Sequence, residues 1–236
     1  MSTLRRPGPT VRARVVEFKG ATRLQREDRL GTEEPLEIRL EWPAAPPIRA
    51  GVTMRTPGHD FELAAGWLVH EGVIAASQLR GLRYCTDVDL DPEEEFNVVT
   101  AALESAPLRM PDGRSISSAC GVCGKESISD ALSLVAGRPA SLVVPVAVLR
   151  GLPTLLREAQ GGFEQTGGLH AAGLFTAAGE RIVVREDVGR HNAVDKVVGS
   201  RLLAGLEIPP VLVLSGRIGF ELVQKAVVSG ISVVVA

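Results

Sequence analysis

One stretch decides the fold class: residues 210–236 read PVLVLSGRIGFELVQKAVVSGISVVVA. Two short apolar runs in it, residues 211–214 and 231–235, have the composition of strands that are buried on both faces. The residues between them, about 219–229, have the apolar spacing of a helix. A strand, a helix and a strand in this order predict a right-handed βαβ crossover, in which the two strands lie parallel in one sheet.

The same patterns continue upstream of this unit. Residues 170–176 and 181–185 flank a turn and predict a hairpin, and about 191–203 predict a helix that ends at Gly205. Two further helices are predicted at about 121–136, ending at Gly137, and at 149–160, ending at Gly161 and Gly162. In the N-terminal half, strands are predicted at 11–18, 36–40, 52–56 and 96–102, and a helix at 60–70 with Asp60 as its N-cap and Gly72 as its end.

A run of turn-prone residues, 107–113, separates two halves with different patterns. We therefore predict three parts: a flexible, basic and proline-bearing segment over 1–20, an N-terminal α+β subdomain over 21–110, and an α/β domain over 111–236. The fold class is α/β, with α+β character overall.

Composition excludes several classes of protein. The 236 residues are 45% apolar and 23% charged with a net charge of −2, which is typical of a globular chain and argues against long disorder. Near-neutrality without a basic cluster argues against a nucleic-acid binder. No signal peptide and no apolar run of roughly 18 residues is evident, so neither export nor a membrane span is predicted. We expect a protein of the reducing cytoplasm.

Three cysteines are present, and two of them form the sequence Cys120-Gly-Val-Cys123. The serines before them suit the N-cap of the predicted helix at 121–136, which places both thiols at its positive end. That position, with Lys125 nearby, favours thiolate over thiol. A thiolate attacks sulfur or binds metal, so the pair is the candidate catalytic group.

Other interpretations of the cysteines remain open. The pair also fits two small buried side chains at a helix start. A structural zinc site needs about four ligands. Cys85 and the four histidines do not supply a second pair at close spacing, so a zinc-binding protein is kept only as an alternative hypothesis. A thioredoxin-like dithiol fits poorly because that motif follows the first strand of its domain and usually has an aromatic residue beside it. Cys85 itself is interpreted as a buried thiol.

A second group of polar residues opens the helix predicted at 191–203. Residues 186–196 read EDVGRHNAVDK and place Asp187, Gly189, Arg190 and His191 in one strand-to-helix turn. Helix N-termini bind anions and Arg binds phosphate through two hydrogen bonds, so this turn suits a phosphorylated ligand. The alternative is a well-capped helix in which Arg190 and Asp187 pair with each other.

A third group follows the strand predicted at 211–214. Ser215, Gly216 and Arg217 come at its carboxyl end, where open α/β sheets bind ligands. The segment has small residues and a positive charge, but it lacks the lysine of a Walker loop and the spacing of a dinucleotide-binding fingerprint.

The order and spacing of six segments resemble one known family, the FdhD formate dehydrogenase accessory sulfurtransferases. The segments are EEPL at 33–36, FELAAGWLVHEG at 61–72, CGVCG at 120–124, TGGLHAA at 166–172, EDVGRHNAVDK at 186–196 and SGR at 215–217. The resemblance covers most of the chain. It implies a small N-terminal α+β subdomain followed by a three-layer α/β domain of cytidine-deaminase-like architecture, without the deaminase zinc site.

The resemblance also implies a function. A cysteine desulfurase would pass sulfur as a persulfide to Cys120, with Cys123 as its partner thiol, and the chain would pass it to the molybdenum cofactor in its bis-guanine-dinucleotide form for formate dehydrogenase. The cofactor is a bound substrate, no resident cofactor or metal is implied, and a homodimer is expected. By position and charge, we assign binding of the cofactor's phosphates to His170, Asp187, Gly189, Arg190, His191, Ser215, Gly216 and Arg217.

The chain departs from the family at its C-terminal end. Members continue beyond the strand at 231–235 with a helix, a last strand and a segment that bears Gly and Arg, whereas this sequence stops at Ala236. The resemblance therefore predicts a truncated domain, and cofactor binding is the activity that truncation would affect. The competing hypothesis is a nucleotide-binding protein that uses a Cys120–Cys123 disulfide as a redox switch.

Overall fold

A computed structural model describes residues 7–85, 96–110, 115–116 and 139–236. These residues form three β-sheets and five α-helices, which confirms the mixed α/β class. The helix predicted at 121–136 lies outside the described residues. Within the described part of the chain, no helix is long and apolar enough to cross a membrane.

The chain begins with a two-stranded antiparallel hairpin of β1 (Thr10–Lys19) and β2 (Thr22–Gly31). Lys19 pairs with Thr22 across a two-residue turn, in which Gly20 has the positive φ of 60° that such turns require. The strand predicted at 11–18 is confirmed. It occupies part of the segment that we predicted to be flexible, and β2 was not predicted at all.

The N-terminal subdomain is a five-stranded sheet in the order β5-β6-β3-β4-β7. Its elements are β3 (Glu34–Glu41), β4 (Ile48–Arg55), α1 (Asp60–His70), a 3₁₀ turn (Ala76–Gln78), β5 (Leu79–Tyr84), β6 (Val98–Leu103) and β7 (Ser115–Ile116). Buried and partly exposed side chains alternate along strand β3, as expected for an amphipathic strand. Its buried residues Leu36, Ile38 and Leu40 pack in one core with α1. Strand β7 belongs to this sheet although the predicted boundary assigns residues from 111 onward to the C-terminal domain.

The C-terminal subdomain is a four-stranded sheet in the order β9-β8-β10-β11. Its elements are α2 (Val146–Arg157), α3 (Gly161–Thr166), β8 (His170–Phe175), β9 (Arg181–Asp187), α4 (Arg190–Leu203), β10 (Val211–Leu214), α5 (Phe220–Val228) and β11 (Val233–Val235). The predicted hairpin is β8–β9, and β10 and β11 are parallel as the crossover requires.

Helices cover both faces of this sheet, which gives the subdomain three layers. The side chains of β10 point alternately to one face and to the other. Its residues Val211 and Val213 pack with α2, whereas Leu212 and Leu214 pack with α4 and α5 on the opposite face. All four side chains are buried. Helices on both faces explain why the strand has an uninterrupted apolar sequence rather than an alternating one.

The two subdomains meet where α1 crosses α4, and the contact depends on two glycines. A Cβ atom at Gly199 of α4 would lie 1.8 Å from the carbonyl oxygen of Glu62, and one at Gly66 of α1 would lie 2.0 Å from that of Asp195. Both distances are far below van der Waals contact. Only glycine at these two positions allows the helix backbones to approach this closely.

Two local predictions are wrong. Asp60 does not cap α1 with its side chain; the N-cap is His59, and the Asp60 carboxylate instead pairs with the buried guanidinium of Arg55 at 3.0 Å. Gly161 and Gly162 do not end a helix but begin α3. The Glu186 carboxylate accepts hydrogen bonds from the backbone N–H groups of Gly162 and Phe163, which satisfies two of the donors at that helix start.

Candidate functional site at the sheet edge

Both predicted phosphate-binding segments lie at the same edge of the C-terminal sheet. Strands β9 and β10 end there and β8 begins there, because β8 is antiparallel to both. His170 pairs with Asp187 across β8 and β9. The hydroxyl of Ser215 accepts a hydrogen bond of 2.8 Å from the backbone N–H of Ala171. We call this cluster the sheet-edge site; its members are His170, Asp187, Gly189, Arg190, His191, Ser215, Gly216 and Arg217.

His170 connects the two halves of the sheet-edge site. Its half-buried imidazole lies against Gly216, where an added Cβ would come within 3.2 Å of Nδ1, so the small residue allows the ring to approach the loop. Burial lowers the pKa of His170, the charge of Arg190 lowers it further, and Asp187 opposes both. The imidazole is therefore neutral at pH 7 and presents one donor and one acceptor nitrogen.

Asp187 is a positioning residue rather than a ligand-contacting one. Its carboxylate is fully buried and accepts hydrogen bonds from the backbone N–H of Gly189 at 2.8 Å and of Thr56 at 3.1 Å. It also pairs with the buried ammonium of Lys196 at 2.6 Å. The carboxylate thus holds the turn that presents Arg190, and the alternative pairing of Asp187 with Arg190 is not the one observed.

The N-terminal subdomain supplies part of this support. The backbone N–H of Val188 donates to the Thr56 hydroxyl at 3.0 Å, and Lys196 Nζ donates to the Thr56 carbonyl at 2.8 Å. Asn192 Nδ2 donates to the carbonyl of Met54, at the end of β4, at 2.7 Å. Lys196 and Asn192 fall within the predicted motif, but no sequence signal pointed to Thr56.

His191 is buried beside α5 rather than open to solvent. Its Nε2 lies 3.1 Å from a carboxylate oxygen of Glu221, in the first turn of α5. This contact joins the start of α5 to the start of α4. Glu221 was not identified from the sequence. Its position four residues after Arg217, close to a predicted site segment, was the one indication of a role there.

The exposed part of the sheet-edge site is positively charged. Arg217 and Ser215 are exposed in the loop after β10, and Arg190 is half-buried as the first residue of α4. Helices α4 and α5 both begin at this edge, with Gly189 and Gly219 as their N-caps. The backbone N–H groups of two helix starts, two guanidinium groups and a neutral imidazole are suited to binding phosphate groups.

The predicted catalytic thiols, Cys120 and Cys123, lie outside the described residues. Cys85 is buried, as predicted, and its sulfur lies 3.8 Å from Nη1 of Arg39. In the described ranges, no group of three or more His, Cys, Asp and Glu side chains could hold a metal ion.

A second polar cluster lies buried between α1, α4 and α5. Nδ1 of His70 lies 2.5 Å from Asp195 Oδ1, and Nε2 lies 2.7 Å from the Ser229 hydroxyl. Lys225 Nζ donates to both carboxylate oxygens of Asp195, at 2.7 and 2.9 Å. Burial alone would raise the pKa of Asp195, but Lys225 and His70 lower it below its usual value. We call these four residues the interhelix cluster.

Comparisons with known proteins match nearly the whole chain. The sequence profile described as the FdhD/NarQ family matches residues 31–236. A protein of Streptomyces coelicolor named sulfur carrier protein FdhD is 47% identical over 96% of this chain and 82% of its own length. A protein of the same name from Mycolicibacterium paratuberculosis is 44% identical over 96% of this chain and 85% of its own.

A solved structure has the same fold. It is a crystal structure of a protein from Desulfotalea psychrophila, assigned as a formate dehydrogenase accessory protein. The TM-score is 0.70 at 23% identity, and the match covers 96% of this chain and 83% of the other.

Proposed function

The chain belongs to the FdhD/NarQ family, and on this premise we propose that it is a sulfur carrier that serves the maturation of formate dehydrogenase. The observation that carries the proposal is the family match over residues 31–236, which includes the Cys120-Gly-Val-Cys123 pair. The sulfur donor is a cysteine desulfurase and the acceptor is the molybdenum cofactor in its bis-guanine-dinucleotide form.

The first step is transfer of sulfur to Cys120. The Cys120 thiolate attacks the terminal sulfur of a persulfide on the donor protein, the donor's S–S bond breaks, and the donor cysteine leaves as a thiolate. Cys120 then carries the persulfide. Cys123 either attacks the outer sulfur and takes it over, so that Cys120 leaves as a thiolate, or attacks the inner sulfur, which forms a Cys120–Cys123 disulfide and releases the outer sulfur as hydrosulfide. Either route makes the chain a sulfurtransferase of the carrier type.

The second step delivers the sulfur to the molybdenum cofactor. Each guanine-dinucleotide arm of that substrate carries a diphosphate, and the guanidinium groups of half-buried Arg190 and exposed Arg217 are suited to hold it. Neutral His170 accepts a hydrogen bond from the nucleoside or donates one to a phosphate oxygen. Asp187 and Glu221 act through Gly189 and His191, since each holds its neighbour in place.

Mass spectrometry of the loaded protein tests the first step. The purified full chain is incubated with a cysteine desulfurase and free cysteine, and the peptide that contains Cys120 is analysed without reduction. We expect a gain of one sulfur atom on this peptide, and loss of that gain in Cys120→Ala. Cys85→Ala is the matched control, because a buried thiol outside the pair leaves the gain unchanged.

The same spectra separate the competing functions. A loss of two hydrogens between Cys120 and Cys123, with no sulfur gained, would support the redox switch instead. Stoichiometric zinc in the purified protein would assign the thiols to a metal site and contradict the carrier role. In cells whose sole copy carries Cys120→Ala, formate dehydrogenase activity should be lost; full activity would overturn the proposal.

We also propose a cellular compartment and an oligomeric state for this protein. Thiolate and persulfide chemistry needs reduced cysteines, so the reducing cytoplasm is the expected compartment. A homodimer is the expected assembly, and its mass in solution, measured by light scattering, tests that expectation.

A further inference from the structure

The hairpin β1–β2 has two faces of different charge. Cross-strand pairing assigns side chains to a face, because directly opposed residues point the same way and successive residues alternate. One face, which we call the arginine face, carries Arg12, Arg14, Arg23 and Arg29, with Glu27 as its one acidic residue; Val16, Phe18 and Gln25 complete its outer part.

The opposite face is neutral and internally paired. Its charged residues are two basic and two acidic side chains, Lys19, Arg26, Glu17 and Asp28. Arg26 forms ion pairs with Glu17 at 3.0 Å and with Asp28 at 3.1 Å, and Lys19 lies 3.6 Å from Glu17. The charges of this face are therefore compensated within the hairpin.

The charges of the arginine face are not compensated in this way. Among the described residues, no carboxylate lies within ion-pair distance of Arg12, Arg14 or Arg23, and all three side chains belong to exposed residues. Arg29 alone is anchored, through a hydrogen bond of 2.5 Å from Nη1 to Gln165 of α3. The three remaining guanidinium groups are free to meet a partner.

Apolar side chains extend the arginine face from Arg14 toward the turn, and Phe18 lies directly opposite Arg23. Phe18 is 67% exposed and Val16 is 42% exposed, near the tip of the hairpin. Exposed aromatic residues flanked by arginines are typical of the energetic centres of protein interfaces. An isolated two-stranded hairpin is also only marginally stable in water, so a long ribbon of this kind gains from being covered.

We propose that the arginine face docks an acidic surface of another protein, with Phe18 in an apolar pocket and Arg12, Arg14 and Arg23 paired with carboxylates around it. Guanidinium groups form two-pronged hydrogen bonds with carboxylates, which gives such a contact both strength and orientation. The family match begins at Gly31, the last residue of β2, so this surface precedes the matched region. The inference is independent of the sulfur transfer proposed above.

Charge distribution favours a protein partner over the alternatives. The hairpin carries six basic and three acidic side chains, whereas the whole chain has a net charge of −2, so the rest of the molecule is acidic. A long nucleic acid that crosses the hairpin would meet that acidic remainder. A second copy that docked through the same face by two-fold symmetry would place arginines against arginines.

Site-specific photocrosslinking tests the docking surface. A photoreactive phenylalanine analogue replaces Gln25, on the arginine face, or Leu24, on the opposite face, in the full chain expressed in its own cells. Both positions are exposed, so they differ only in the face that they sample. The crosslinked peptide is then sequenced by mass spectrometry, and the partner that it identifies is purified.

The expected result is a crosslink from position 25, and not from position 24, to a protein segment with an excess of Asp and Glu. Binding of the purified partner, measured by calorimetry, should weaken at least tenfold in the triple variant Arg12→Gln, Arg14→Gln, Arg23→Gln. The matching lysine triple variant should retain more affinity, because it keeps the charge. Replacing two contacted carboxylates of the partner by Lys should reproduce the loss.

Four results would overturn the inference. They are a crosslink to nucleic acid, a crosslink to a second copy of this chain, a crosslink to a segment without acidic excess, and no crosslink specific to position 25. A glutamine triple variant that keeps its melting temperature and its full affinity would do the same. Should that variant not fold, Phe18→Ser on the same face must weaken binding tenfold for the inference to stand.

Discussion

His70 and Asp195 lie 2.5 Å apart across the junction of the two subdomains, imidazole Nδ1 to carboxylate Oδ1. The ionised carboxylate can only accept, so Nδ1 carries the proton, and Nε2 of the neutral ring accepts from the Ser229 hydroxyl at 2.7 Å. Lys225 on α5 balances the charge of Asp195, and its Nζ donates to both carboxylate oxygens. Three helices from two subdomains thus share one buried set of hydrogen bonds.

Stability should depend on the protonation of His70. Burial lowers the pKa of His70 below its usual 6.5, and this outweighs the opposing effect of Asp195. The unfolded chain therefore takes up a proton before the folded one, so the contribution of neutral His70 is complete above pH 6.5 and is lost as the pH falls below it. The slope is at most about 1.4 kcal/mol per pH unit for one proton.

The variant His70→Asn isolates this contribution, because its amide donates to Asp195 without titrating. We expect the stability advantage of the wild type over the variant to shrink between pH 7.5 and pH 5.5. Urea unfolding at several pH values measures it. An advantage that stays constant, or grows as the pH falls, would contradict the assignment of a neutral His70.

Removing Lys225 should be costly. Lys225→Met leaves the Asp195 carboxylate buried with no cation, and breaking a buried pair in this way costs about 3–5 kcal/mol. Arg83→Met is the matched control, since Arg83 pairs with Glu41 at the surface, where such a pair contributes under about 1 kcal/mol. Urea unfolding at pH 7 compares the two variants, and equal losses would show that the interhelix cluster is not holding α5.

The contact between α1 and α4 should not tolerate a methyl group. Gly199→Ala places a Cβ against the backbone of Glu62, which cannot move like a flexible side chain, so we expect a loss of about 3 kcal/mol or more. Gly151→Ala is the control: it lies within α2 with nothing within 4 Å of an added Cβ, and should stabilise by about 0.5–1 kcal/mol. Thermal unfolding gives both values, and a harmless Gly199→Ala would refute the close approach of the helices.

Arg217 should bind phosphate at the sheet-edge site. A charge-assisted hydrogen bond contributes about 1.5–3 kcal/mol, so Arg217→Gln should weaken binding of guanosine diphosphate about tenfold or more. Arg181→Gln is the control, because Arg181 is exposed at the opposite end of β9. Calorimetry measures the affinity of both variants for guanosine diphosphate. Equal affinities would show that Arg217 does not bind the nucleotide.

The sequence was most informative where structure is set by local pattern. The apolar run at 211–214, the helix at 60–70 and the β8–β9 hairpin were predictable because periodicity and turn residues lie within a few positions of one another. The two segments that we predict to bind phosphate were identified separately. Their convergence follows from topology, since the ends of β9 and β10 share one sheet edge.

Long-range contacts were beyond such reasoning. Strand β2 reads TRLQREDRLG, without an alternating apolar pattern, and is a strand because β1 pairs with it. The bond from Thr56 to Asp187 spans 131 residues, and that from His70 to Asp195 spans 125. Lys225 and Glu221 lie only 30 residues from their partners Asp195 and His191, but those partners are on another helix, and no local pattern reveals the contact.

The junction of α1 and α4 has a consequence for how this protein can change over evolutionary time. Thr56 and Met54 of the N-terminal subdomain form hydrogen bonds that hold the turn before Arg190. Helix α4 also packs closely on α1 at Gly66 and Gly199. Neither subdomain holds the complete support of the turn by itself. The two must therefore be inherited together, and neither could be exchanged as an independent module without a matching change in the other.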